Sequence, residues 1–150
     1  MAKGKRLKKD LAEHKVIGLD TGVFIHHFEG GEYSELTTVV LERVQDGGCK
    51  GVVSTVSLTE VLVKPLQLGL DSLADLYRVV FHEMPNLQIA PVDQDVASRA
   101  AALGAANGFG PADSMVLATA IEAGATAFIT TRHELKEAKG LRIMVLSEYL

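Results

Sequence analysis

The stretch of residues 16–24, Val-Ile-Gly-Leu-Asp-Thr-Gly-Val-Phe, constrains the fold most, because a short apolar run in it ends abruptly in a carboxylate. A run this apolar is typical of a strand buried on both faces of a parallel sheet. Burying it puts Asp20 at the carboxyl end of the strand. Open α/β sheets form their ligand crevice at that edge. The stretch therefore predicts a functional site around Asp20.

Similar apolar runs alternate with helical patterns along the chain. Further strands are predicted at residues 51–55, 87–90, 127–130 and 141–146. Helical segments are expected at residues 23–28, 33–45, from Ser57 to a break near Lys64-Pro65, from Asp71 or Ser72 to about Met84, from the cap Asp93 to about Asn107, and from Pro111 to about Gly124. The alternation predicts an α/β protein, a three-layer α/β/α sandwich with a central, mostly parallel sheet of about four to five strands. We expect one domain over residues 16–150.

Composition excludes several other classes of protein. Although 47% of the 150 residues are hydrophobic, no uninterrupted apolar segment approaches the ~20 residues of a membrane span. The lone Cys49 suits a reducing cytoplasm, and no apolar signal-peptide core follows the basic start. We therefore expect a cytoplasmic protein that does not contact a membrane.

Charge is distributed unevenly along the chain. Residues 1–15 carry six basic groups and two acids, which gives them a net charge of +4. The whole chain has a net charge of −4, so the remaining residues have a net charge of −8. A basic arm on an acidic body could contact phosphate groups. The alternative is a disordered, solvated tail, which is common at chain termini.

Three acids share one context, because each follows a strand signal and opens a helix. Asp20 is one, Glu60 lies three residues after Ser57, and Asp113 follows Pro111 in the first helical turn. Each position also has a plain structural explanation: a helix cap for Asp20, a capping box for Glu60, and the helix dipole for Asp113. All three explanations place a carboxylate at the same edge of the sheet. Such a cluster suits a hard cation, Mg²⁺ or Mn²⁺.

Three motifs carry a resemblance to the PIN-domain family of metal-dependent ribonucleases, which includes the VapC-type toxins of toxin–antitoxin pairs. The motifs are Leu19-Asp20-Thr21-Gly22-Val23, Ser57-Leu58-Thr59-Glu60-Val61-Leu62 and the segment Pro111-Ala112-Asp113-Ser114 with the helix after it. The resemblance covers roughly residues 16–146. It implies that Asp20, Glu60 and Asp113 are catalytic residues and ligands of Mg²⁺ or Mn²⁺.

The chain departs from the family pattern after the fourth strand. The family usually has an acid after a Thr-Asn pair there, whereas this chain reads Thr130-Thr131-Arg132-His133-Glu134, with Arg132 in the place of the acid. A guanidinium in place of a carboxylate removes one metal ligand from the site and adds a positive charge. Both changes disfavour the binding of a second metal ion. Glu134 could substitute as a ligand, Thr130 and Thr131 could hold a metal-bound water, and Arg132 could bind the substrate phosphate.

The resemblance implies hydrolysis of RNA phosphodiester bonds, with Asp20 or Asp113 accepting the proton of a metal-activated water. Single-stranded or loop RNA fits a narrow acidic crevice best. Basic contacts are expected from Lys3 to Lys9, Arg132 and Lys136. The resemblance also allows a homodimer and an inhibiting antitoxin, for which residues 65–70 and the helix from Leu73 to Phe81 are candidate surfaces.

Competing hypotheses are weaker but differ in class. Asp20-Thr21-Gly22 matches the aspartic protease tripeptide, yet those enzymes pair two copies in an all-β body. His26, His27 and His133 lack a metal-binding framework, and Cys49 has no identifiable base. The main alternative is a PIN-like module that has lost catalysis and binds RNA or protein. Arg132 favours that alternative, whereas the three remaining acids oppose it.

Overall fold

Five parallel strands form the central sheet of the computed structural model, which describes residues 2–135, 138 and 140–150. The strands are β1 (Val16–Leu19), β2 (Lys50–Ser54), β3 (Leu87–Ala90), β4 (Ala127–Thr130) and β5 (Arg142–Val145). They lie in the order β3-β2-β1-β4-β5, and every neighbouring pair is parallel. The predicted α/β fold with a parallel sheet is confirmed.

Helices cover both faces of this sheet. Within the described residues they are α1 (Ala2–Leu11), α2 (Thr21–Glu29), α3 (Ser34–Gln45), α4 (Thr55–Gln67), α5 (Asp71–Glu83), α6 (Gln94–Asn107) and α7 (Pro111–Glu122), followed by a 3-10 turn at Leu146–Tyr149. Ile17, Leu19 and Ile129 join a core with side chains of α1, α2, α3 and α5. Phe128, from the alternate position of β4, packs with α7 instead. Adjacent strand residues thus face opposite helical layers, which gives the three-layer sandwich.

The N-terminal segment is helical, unlike the disordered, solvated tail that was the alternative for residues 1–15. Residues Ala2–Leu11 form α1, and its Leu7 and Leu11 are fully buried in the main core. These two residues are four apart and so share one helical face, while Lys5, Lys8 and Lys9 remain exposed. The high density of charge in this segment hid its short apolar stripe.

The predicted start and break of the helix after β2 are wrong. Helix α4 begins at Thr55 because Ser54, the last residue of β2, accepts a hydrogen bond from the backbone N–H of Val56 at 3.1 Å. It then continues through Pro65 to Gln67. A proline this close to a helix end removes one backbone hydrogen bond, and the burial of the Pro65 ring offsets that loss.

Other helix boundaries follow local chemistry more closely. Asp93 caps α6 by accepting from the N–H of Val96 at 2.9 Å, and Pro111 is the first residue of α7, as predicted. Helix α2 begins at Thr21, earlier than expected, directly after Asp20. Helix α5 begins at Asp71 without a side-chain cap, so neither proposed capping residue acts as one. Among the described residues no helix combines the length and apolar character needed to cross a membrane.

Candidate functional site

The strand order places a crevice beside Asp20. From β1 the chain proceeds to β2 on one side, whereas β4 lies on the other side of β1. Helices therefore diverge to opposite faces between β1 and β4, and such a reversal point opens a crevice at the carboxyl ends of the strands. Asp20 follows β1 there, and Thr130 and Arg132 stand at the end of β4.

The Asp20 carboxylate is buried but fully supplied with hydrogen-bond donors. The residue is only 2% exposed. Its Oδ1 accepts from the backbone N–H of Thr21 at 2.9 Å, and its Oδ2 accepts from the Thr130 hydroxyl at 2.7 Å. The Nε of Arg132 donates to the same Oδ2 at 3.3 Å. Buried carboxylates need partners of this kind, and here the start of α2 and the end of β4 provide them.

Arg132 connects Asp20 to Asp113. Its Nη2 donates to Asp113 Oδ1 at 2.7 Å, while its backbone N–H donates to Thr130 Oγ1 at 3.0 Å. Burial disfavours the charged guanidinium, but the hydrogen bond to Asp113 and the negative charges of both acids outweigh it and raise the pKa of Arg132. The residue that replaces the family's acid therefore bridges two of the predicted ligands.

Glu60 is connected to this cluster through Thr21. Its Oε1 accepts from the Thr21 hydroxyl at 2.5 Å, and Thr21 Oγ1 also lies 2.9 Å from Ser57 Oγ. The predicted capping box is wrong because Ser57 lies inside α4, two residues beyond its start. Sequence reasoning missed Thr21 as a site residue, although its position directly after Asp20 was a usable signal.

Gly22 allows the two halves of the site to approach each other. A Cβ built on Gly22 would clash with Oγ1 of Thr131, in the segment that follows β4. With Thr131 in its observed rotamer, the first turn of α2 approaches the segment carrying Arg132 this closely because residue 22 lacks a side chain. This close approach explains the glycine in the Asp-Thr-Gly tripeptide without reference to proteases.

The remaining candidate residues lie outside this network. Glu134 is exposed, and no ion pair between described residues includes it. Lys136 lies outside the described residues, as does the side chain of Lys3. Cys49 is buried, and burial raises the pKa of its thiol, which opposes a nucleophilic role.

The chemistry of the donor set fits a hard divalent cation. Asp20, Asp113 and the Thr130 hydroxyl supply oxygen atoms, which Mg²⁺ and Mn²⁺ prefer. Within the part of the chain that the structure describes, however, no three His, Cys, Asp or Glu side chains converge as a ligand group. Asp20 and Asp113 are brought together by Arg132, and Glu60 is not gathered with them. The triad of metal ligands stays a prediction.

Solved structures share this fold. A toxin–antitoxin complex from Klebsiella pneumoniae matches with a TM-score of 0.66 and 22% identity, over 83% of this chain and 94% of that chain. VapBC2 from Rickettsia felis, bound to a DNA fragment from its promoter, matches with a TM-score of 0.68 and 15% identity, over 87% and 98%. FitAB bound to the IR36 DNA fragment matches with a TM-score of 0.67 and 18% identity, over 87% and 94%.

Sequence comparison identifies the family. No curated protein sequence matches the chain. The family model described as the PIN domain matches residues 17–141, which include both strands at the crevice and all three predicted acids. The sequence match and the fold of the solved structures agree, so the chain belongs to the PIN domain family.

Proposed function

We propose that this protein is a divalent-metal-dependent endoribonuclease and the toxin of a toxin–antitoxin pair. PIN-domain proteins are generally nucleases, and the structural neighbours include toxin–antitoxin complexes. The observation that carries the proposal is the buried Asp20 carboxylate at the crevice between β1 and β4, joined to Asp113 across a single guanidinium. A buried acid at a ligand crevice is a candidate functional group on physical grounds.

Asp20 and Asp113 would hold Mg²⁺ or Mn²⁺, with Glu60 completing the acidic edge. A cation held there would lower the pKa of a water and neutralise charge on the scissile phosphate. The side chain of Asp20 is 3% exposed and fixed by three donors, whereas that of Asp113 is 31% exposed. Asp113 is therefore the better-placed proton acceptor, and Asp20 positions the site. The Thr21 hydroxyl orients Glu60 through their 2.5 Å hydrogen bond.

Single-stranded RNA is the proposed substrate. The acidic body repels phosphates, so substrate binding needs cationic side chains from elsewhere. Lys5, Lys8 and Lys9 form an exposed basic row on α1, and Arg132 lies at the site itself with its side chain 38% exposed. A splayed single strand can reach a narrow crevice that a regular duplex cannot enter.

Exposed apolar side chains support a protein partner. Val63, Leu66, Leu68 and Leu70 on and after α4 are all at least 47% exposed, and Val79 of α5 is 55% exposed. Contiguous apolar surface on a small protein is typical of an interaction site. We propose that this surface serves a homodimer or an antitoxin, in line with the toxin–antitoxin proposal.

Arg132 favours a second candidate function, a catalytically impaired module that binds RNA or protein. Its ion pairs at 3.3 Å to Asp20 and 2.7 Å to Asp113 supply the positive charge that a metal would otherwise bring. A site neutralised in this way is stable without metal. The two proposals therefore differ in whether the acids still serve chemistry.

Cleavage of an end-labelled single-stranded RNA with Mn²⁺, Mg²⁺ or EDTA tests the choice. Asp20→Asn is the diagnostic variant, and Asp75→Asn is the control because Asp75 pairs with the exposed Arg78 on the surface of α5. Metal-dependent cutting that Asp20→Asn abolishes and Asp75→Asn retains supports the nuclease. Equal inertness of all three proteins with every metal would favour the binding module.

A further inference from the structure

Arg132 takes up the two carboxylate oxygens that a metal ion would need. Its Nε lies 3.3 Å from Asp20 Oδ2 and its Nη2 lies 2.7 Å from Asp113 Oδ1. One side chain therefore bridges Asp20 Oδ2 and Asp113 Oδ1. Asp20 Oδ2 also accepts from the Thr130 hydroxyl at 2.7 Å, so little of its accepting capacity remains.

A divalent cation and the guanidinium cannot both occupy this position. Both are positive and would contact the same oxygens, so the repulsion between them opposes joint binding. The crevice is partly buried, and charges in such places are screened less than on an open surface. Binding of the ion therefore requires Arg132 to release at least one of the two acids.

We propose that Arg132 is an internal competitor of the divalent cation, a positioning residue that holds Asp20 and Asp113 together without metal and must leave before metal binds. This inference rests on the proposed function, since it concerns the cation of that site. It predicts that the wild-type protein binds metal more weakly than its acids alone would allow.

The two ends of Arg132 are suited to such an exchange. Its backbone is fixed, because its N–H donates to Thr130 Oγ1 at 3.0 Å. Its side chain is 38% exposed, however, and only its guanidinium contacts the two acids. A long side chain with an anchored backbone can move without disturbing the strand end. The Asp20 carboxylate, held by Thr21 and Thr130, stays in place to receive the ion.

Mn²⁺ binding to the full-length protein, measured by calorimetry, tests the competition. Arg132→Gln removes the charge and the bridge, and we expect it to bind Mn²⁺ about tenfold more tightly than wild type. Arg132→Lys keeps the charge but cannot span both acids, so its affinity should lie between the two. Arg99→Gln is the control, because Arg99 pairs with Glu122 on the α6–α7 surface at 2.7 Å, and its affinity should match wild type.

The rise in melting temperature on adding Mn²⁺ is a second readout, and a purely structural role of Arg132 would not change it. In EDTA, Arg132→Gln should melt below wild type, since the buried Asp20 loses its cationic partner. Saturating Mn²⁺ should then raise the melting temperature of Arg132→Gln more than that of wild type. Arg99→Gln should show neither difference.

The outcomes separate this inference from the proposed function. Equal Mn²⁺ affinity for wild type and Arg132→Gln would overturn the competition while leaving the nuclease proposal intact. Tighter binding by Arg132→Gln without RNA cleavage by any variant would support the competition and reject the nuclease. Absence of Mn²⁺ binding in every variant would overturn both.

Discussion

Two arginine side chains in this protein each bridge a pair of acids. Arg132 contacts Asp20 and Asp113, and Arg142 contacts Asp10 at 3.1 Å and Glu13 at 3.3 Å. Each cluster also contains a hydroxyl that donates to its more buried acid: Thr130 to Asp20 at 2.7 Å, and Tyr149 to Asp10 at 2.6 Å. The residue chemistry of the two clusters is nearly the same.

Their positions in the fold differ, and so do the roles we infer. The Arg132 cluster lies at the carboxyl ends of β1 and β4, and its Asp20 side chain is 3% exposed. The Arg142 cluster fastens α1 to the C-terminal segment, and its Asp10 side chain is 20% exposed. There Arg6 also lies over the Tyr149 ring, 4.5 Å from its centre. Location and burial, rather than residue type, therefore distinguish the candidate site from a structural ion-pair cluster in this protein.

The largest expected difference between the clusters is in RNA cleavage. Asp20→Asn should lower kcat/KM by about 100-fold or more, because it removes a ligand charge from the crevice. Asp10→Asn should leave the same constant within about twofold, since Asp10 lies outside the site. Metal-dependent cleavage kinetics of both variants measure the contrast. A similar loss in both would show that the clusters are functionally coupled.

Gly22 tests how closely the two sides of the site must pack. Gly22→Ala should destabilise the fold by about 2 kcal/mol, because the new Cβ meets the hydroxyl of the half-buried Thr131. Gly110→Ala is the control, since nothing lies near its Cβ position and its φ of −66° suits alanine. Urea unfolding compares the two variants. Equal stability of the two variants would mean that the segment after β4 moves away from the new Cβ at little cost in free energy.

The two hydroxyls provide a matched test of burial. Thr130→Val should cost about 1.5 kcal/mol, because the buried Asp20 loses a donor and the partly buried N–H of Arg132 loses its acceptor. Tyr149→Phe removes one hydrogen bond from the less buried Asp10 and should cost about 1 kcal/mol. Denaturant unfolding at neutral pH measures both. The reverse order would contradict the contrast in burial.

Acid titration gives the smallest expected effect. The Tyr149 hydrogen bond and the charge of Arg142 lower the pKa of Asp10, against some opposition from burial. The resulting stabilisation is present above about pH 4 and is lost as the pH falls through the lowered folded pKa. Asp10→Asn should therefore lose stability less steeply between about pH 4 and pH 2 than wild type. If the urea midpoint of Asp10→Asn fell with decreasing pH as steeply as that of wild type, this linkage would be excluded.

Much of the fold was predictable because its signals are local. Each strand of a parallel sheet buried on both faces must be apolar along its length, so the run before Asp20 is visible without the structure. The cap of α6 at Asp93 and the start of α7 at Pro111 depend on one residue each and were predicted correctly. Helix α1 was missed because its buried face consists of Leu7 and Leu11 within a strongly charged segment. The start of α4 was misplaced because Ser54 belongs to a strand and caps the helix as well.

The sequence by itself determined that acids follow the first two strands, that a third acid opens the last long helix, and that parallel pairing puts the carboxyl ends of those strands at one edge. This holds because strand order does not alter which end of a parallel strand is the carboxyl end. Only the tertiary structure decided that Arg132 bridges Asp20 and Asp113, that Thr21 takes up Glu60, and that α1 is fastened by Arg142 and Tyr149. These contacts join residues distant along the chain, and the pattern around any one residue does not encode its distant partner.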